Sequence, residues 1–160
     1  MDTILGLPVH ILIIHAVVVL MPIACLVVMG MLIRPQWQRK YRWEILALVV
    51  VATATVPLAT SSGEALAGRV EQLSTTNKAL VAAHVNSGEN LTPFALLLLL
   101  MTVLILWRGS HLQSKIKTVA SVLAVIAALG SIAEVAIIGH SGAKSAWART
   151  VANTHSVPNN

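Results

Sequence analysis

The chain has 160 residues, of which 56% are hydrophobic and 11% charged, with a formal net charge of +5. A soluble domain carries about 25% charged residues, so the composition excludes an ordinary water-soluble fold. The basic residues stand in short loops between apolar runs, so the positive charge is no nucleic-acid signal and no nucleic-acid partner is expected.

The chain start does not read as a standard signal peptide. Asp2 stands where a basic segment would be, and no small-residue cleavage pattern follows the apolar run, so the first segment is expected to stay in the protein. A membrane-crossing helix needs roughly 20 apolar residues. The first such run covers residues 9–33 and contains Pro22 and the lone Cys25. With no second cysteine, Cys25 reads as a small buried hydrophobe. The second run covers about 43–60 and contains Pro57.

Residues 64–74 then read as a short amphipathic helix on the membrane surface. Ser61 and Glu64 are spaced as a capping box, and Leu66, Val70 and Leu73 recur at helical spacing. Thr92-Pro93 resembles a helix start, but Pro93 to Trp107 would be only about 22 Å long. The third span is therefore expected to begin upstream and to cover about 82–107, with Pro93 inside it. The fourth covers about 117–140, and residues 151–160 read as a disordered tail. The expected fold is all-α: a transmembrane four-helix bundle of two hairpins in one membrane domain over residues 1–150.

Arg34, Arg39, Lys40 and Arg42 separate spans one and two, and Arg108, Lys115 and Lys117 separate spans three and four. The positive-inside rule puts both loops in the cytoplasm and both termini outside, as a multi-pass protein of the bacterial inner membrane. Trp37, Trp43 and Trp107 flank the basic side as an interfacial belt. Lys144 and Arg149 oppose this orientation more weakly. The lipid bilayer is the first partner implied.

This topology gathers His10, His15, Glu64, His84 and His140 at the non-cytoplasmic side. An imidazole at membrane depth is costly, which makes it a functional candidate. His10 and His15 lie five positions apart, roughly 140° around a helix, so they cannot chelate from one face. His15 is deeper and is expected in the bundle interior, whereas His10 is expected at the interface. Glu134 falls near the depth of His15, where it could hold that imidazole or bond Ser131. Glu64 reads mainly as a cap, His111 as a solvated loop residue and His155 as an inert residue of the tail. Gly130, Gly139 and Gly142 read as ordinary small-residue helix packing, or else as room for a flat macrocycle. A weak internal echo links Ser61-Ser62-Gly63 at the end of the first hairpin to His140-Ser141-Gly142 at the end of the second.

Three function classes follow. His15 with His84 or His140 could be the axial pair of a b-type haem that passes electrons. His10, His15, Glu64, His84 and His140 offer donors for a transition metal, with Glu134 behind them. The alternative is a non-catalytic accessory or structural subunit glued by a hydrogen-bonded polar cluster. No nucleophile–base pair, phosphate loop or nucleotide fingerprint is visible, so hydrolase and nucleotide-dependent activities have no support.

Leu7-Pro8-Val9-His10-Ile11-Leu12-Ile13-Ile14-His15, the Ser62-Gly63-Glu64 element, His84 with Gly88-Glu89-Asn90-Leu91, and Ile138-Gly139-His140-Ser141-Gly142-Ala143 together resemble the domain-of-unknown-function 2231 family. The resemblance runs over residues 5–147, and the two histidines near the start are its most specific part. It implies a small, mostly four-helix bacterial membrane protein without an agreed activity. Some relatives are joined to cytochrome-like or iron–sulfur modules, which implies a redox setting and redox membrane partners. Glu134 departs from the pattern expected of the family.

Overall fold

The computed structural model describes residues 3–4, 7–70, 78–108 and 113–155. The chain opens with a two-rung antiparallel hairpin of β1 (Thr3–Ile4) and β2 (Leu7–Pro8), pairing Thr3 with Pro8 and Ile4 with Leu7. Five helices follow: α1 (Val9–Ile33), α2 (Pro35–Lys40), α3 (Arg42–Val70), α4 (Lys78–Arg108) and α5 (Ser114–His155). The hairpin is a small addition to an otherwise all-α architecture.

Four helices carry stretches long and apolar enough to cross a membrane: Leu12–Ile33, Arg42–Ala65, Gly88–Trp107 and Ser114–Lys144. Pro22, Pro57 and Pro93 lie inside α1, α3 and α4. Membrane helices tolerate such prolines because neighbouring groups satisfy the backbone they release.

The four long helices form a closed ring. α1 packs on α3 and α5, and α4 packs on the same two. On α1 the interior positions are Val17, Met21, Ala24, Cys25, Val28 and Met31. That spacing of threes and fours is the seam of left-handed bundle packing. α5 turns Ala120, Ala124, Ala127, Ala128 and Ser131 inward, and such small residues let helix backbones approach closely. Phe94 of α4 lies against Gly130 of α5, so close that an added Cβ would fall 2.5 Å from its ring.

The outer surface is as greasy as the inside. Val19, Ile23, Leu26, Val51, Leu58, Leu96, Leu100, Val122, Ile126 and Leu129 are all exposed. A helix apolar on every side is stable only when covered, here by lipid.

Three local expectations change. Residues 64–70 continue α3 and form no separate surface helix, while residues 71–74 and the side chains of Leu66 and Val70 lie outside the described residues. The capping box is not formed, because the helix does not restart there. Ser61 and Ser62 instead donate back to the carbonyls of Leu58 and Ala59, as mid-helix serines do. The tail is helical through His155, with residues 156–160 outside the description.

The basic connection after α1 is itself a short helix. Pro35 opens α2, where its missing N–H costs nothing. Gln38 Nε2 donates to the Met31 carbonyl at 3.1 Å, satisfying one open carbonyl at the end of α1.

Candidate site at the histidine end of the bundle

The antiparallel ring brings the start of α1, the end of α3, the early turns of α4 and the end of α5 to one end. His10, His15, Glu64, His84 and His140 all belong to these stretches. They differ sharply in what they do there.

His10 is anchored to α3. It sits in the first turn of α1 and is half-buried. Its Nδ1 lies 3.1 Å from the Ala59 carbonyl and 3.1 Å from Ser62 Oγ, both on α3. Ser62 Oγ donates to the same carbonyl at 3.0 Å. A carbonyl only accepts, and the serine proton is already committed to it. Nδ1 must therefore carry the hydrogen, donating toward both oxygens, and in the neutral ring Nε2 is the acceptor nitrogen. The imidazole rests on Gly63, where a Cβ would stand 2.9 Å from His10 Cε1. Gly63 is thus a seat for the ring.

His15 does not occupy the bundle interior as expected; it is exposed. The cause is helical phase. Val17 faces the core, and a residue two positions away points roughly 200° from it. His10, seven positions before Val17, returns to the inward seam. Positions 10, 17, 24 and 31 form a regular heptad whose last three members are Val17, Ala24 and Met31, all in the core. Helical phase, visible in the apolar pattern, outweighs depth in deciding which histidine faces a neighbouring helix.

His140 is also exposed, two positions beyond the inward Ile138. Glu64 is exposed on α3. The backbone of His84 belongs to α4, but its side chain lies outside the described residues; the same holds for His155 of α5, and His111 lies wholly outside. Glu134 is half-buried and bonds neither His15 nor Ser131 among the described residues. Ser141 Oγ donates to the Ile138 carbonyl at 3.1 Å, repeating the bond of Ser62 and giving the internal echo a structural counterpart. None of His10, His15, Ser141 and Gly142 stands without an interaction partner. Among the described residues, no three His, Cys, Asp or Glu side chains come together as a metal-holding group.

Below the histidines the described interior positions are apolar. Val17, Met21, Leu91, Val135 and Ile138 are all buried. Deeper in the bundle are three buried hydroxyls, of Thr53, Thr102 and Ser131. Thr53 Oγ1 donates to the Ala95 carbonyl at 3.4 Å, a long bond that ties α3 to α4. Thr102 and Ser131 are fully buried, and their hydroxyl oxygens have no conventional hydrogen-bond partner among the described residues. The Cys25 sulfur lies beside Ser131, where it offers the hydroxyl only a weak acceptor.

No match was found among curated proteins or among solved structures. One family does match, described as a predicted membrane protein of the domain-of-unknown-function 2231 type, over residues 6–155. That range takes in His10, the Ser62-Gly63 seat and His140. With four apolar membrane-length helices, the chain is a multi-pass membrane protein, and it belongs to the domain-of-unknown-function 2231 family.

Proposed function

We propose that this protein is a non-catalytic accessory or structural membrane subunit, whose polar end fastens the helices of the bundle to one another. The observation that carries this reading is the use of His10. Its Nδ1 hydrogen goes to the backbone and a serine of α3, and its ring fills the space over Gly63. A histidine bound in this way joins two helices. Hydrogen bonds between membrane helices contribute about 0.6–2 kcal/mol each, enough to set register. His15 and His140, on exposed positions near the same end, are placed to meet headgroups or a partner protein. The excess of basic residues at the opposite end supports a non-cytoplasmic location for this one, in a bacterial inner membrane.

One observation favours a second reading, a site for a transition metal or a b-type haem in electron transfer. Histidines that ligate metals commonly donate the other ring N–H to a backbone carbonyl, which fixes the tautomer. His10 is held in that manner, with Nε2 as its acceptor nitrogen. The donors on offer are His10, His15, Glu64, His84 and His140, with Glu134 behind them. A redox membrane partner would then be required.

Absorption spectra of the detergent-purified protein, oxidised and reduced, after haem-supplemented expression decide between the two, with metal analysis of the same sample. The accessory reading expects no Soret band and no stoichiometric metal, and no change in either for His15→Ala with His140→Ala. A Soret band, or one metal per chain that this double variant removes, overturns it.

A further inference from the structure

At the opposite end, between the last turn of α1 and the first turns of α5, the surface holds a groove of about 500 Å³. Its lining changes character along α5. Ser114, Lys117, Thr118 and Ser121 come first, then Val122 and Ile126, with Leu32 contributed by α1. From Lys117 to Ile126 the helix rises about 14 Å, close to half of a hydrocarbon core about 30 Å thick. The groove is thus polar at the level of the headgroups and apolar over the depth of one acyl chain.

The polar part is selective in sign. Lys117 is half-buried at the groove, and the first turn of α5 has no acidic residue. Lys115 follows the same helix start, while Arg34, Arg39, Lys40 and Arg42 stand on the connection after α1. Two of the three hydroxyls, those of Thr118 and Ser121, have spent their hydrogens within the helix. Thr118 Oγ1 donates to the Ser114 carbonyl at 3.0 Å and Ser121 Oγ to the Lys117 carbonyl at 2.9 Å. They therefore present acceptor oxygens. The combination asks for a ligand with an anion, hydroxyl donors beside it and a hydrocarbon chain below.

We propose that this groove holds an anionic phospholipid with a hydroxylated headgroup. Its phosphate lies against Lys117, its headgroup hydroxyls donate to Thr118 and Ser121, and one acyl chain runs over Val122 and Ile126 against Leu32. Basic pockets between membrane helices are a recurring way of binding acidic headgroups. This assignment is independent of the role given to His10, because it uses the other end of the bundle.

Native mass spectrometry of the delipidated full-length protein tests it, with phosphatidylglycerol, phosphatidylcholine and inorganic phosphate as probes. Phosphatidylglycerol is expected to bind at least tenfold more tightly than phosphatidylcholine. Lys117→Gln should bring the two level, Lys117→Arg should keep the preference, and Ile126→Trp should weaken both lipids. Equal binding of the two lipids by the native chain overturns the proposal, as does a preference that survives Lys117→Gln. Displacement of phosphatidylglycerol by millimolar phosphate would mean a free-anion site and would overturn it too. A dimer that forms on delipidation and is lost in Ile126→Trp would mean that a second copy covers the groove, again against the proposal.

Discussion

The two ends of the bundle use one device with different chemistry. At each end an aromatic ring sits on a glycine of a neighbouring helix: His10 on Gly63 at one, Trp37 on Gly30 at the other. The imidazole is tied twice to α3 through Nδ1. The indole of Trp37 instead meets Tyr41 edge-on at 6.2 Å, and the same end holds a T-shaped pair of Trp43 and Trp107 at 6.0 Å. Hydrogen bonds fix both distance and direction, whereas edge contacts between rings tolerate sliding. The histidine end should therefore be the stiffer and the less forgiving of substitution.

The largest effect is expected from breaking the polar latch. His10→Ala removes both bonds to α3 and leaves space over Gly63, while Ser62 still serves the Ala59 carbonyl. A loss of about 1–2 kcal/mol follows from hydrogen bonds of this class. Gly63→Ala should act in the same direction despite its better helix propensity, since its Cβ would stand 2.9 Å from His10 Cε1 and push the ring off its acceptors. Unfolding in mixed detergent, followed by far-UV circular dichroism, measures both. A His10→Ala protein as stable as the native one would remove the distinction between the ends.

A smaller effect belongs to the aromatic end. Trp43 and Trp107 join the start of α3 to the end of α4 with their ring planes at 89°. Such pairs contribute about 0.5–1.5 kcal/mol beyond area burial. These two are 63% and 59% exposed, so the low end of that range applies. A double-mutant cycle with Trp43→Leu and Trp107→Leu in the same unfolding assay isolates the coupling. A value above that of the His10 latch would reverse the ranking.

The comparison also explains what could be read from the chain alone. The bundle was legible because each span is a long apolar run whose limits are charged loops or prolines, and four such runs leave few arrangements. The basic loops were equally plain. The rank of the histidines was not, although half of the signal was present. Depth along α1 favoured His15, but the heptad of His10, Val17, Ala24 and Met31 shows which one faces a neighbouring helix. No spacing rule could pair His10 with Ala59 and Ser62, because that contact crosses from one helix to another and depends on their register. The Ser61–Glu64 capping signal misled for a related reason: a helix already running through α3 offers no open N–H groups to cap.

The smallest expected effect is the sharpest comparison, because it places the same substitution on both seats. Gly30→Ala would put a Cβ 3.0 Å from Trp37 Cζ3, almost as near as the Gly63 Cβ comes to His10. Here the near atom is an outer ring atom of a residue on a six-residue helix. α2 can tilt by a few tenths of an ångström while Gln38 keeps its bond to Met31. The helix propensity gained by alanine, about 1 kcal/mol, then offsets the contact. The stability of Gly30→Ala should fall within about 0.5 kcal/mol of the native protein, against a clear loss for Gly63→Ala. Equal losses at the two glycines would show that the rings are held with equal stiffness, and that the bonds of His10 to α3 add no rigidity of their own.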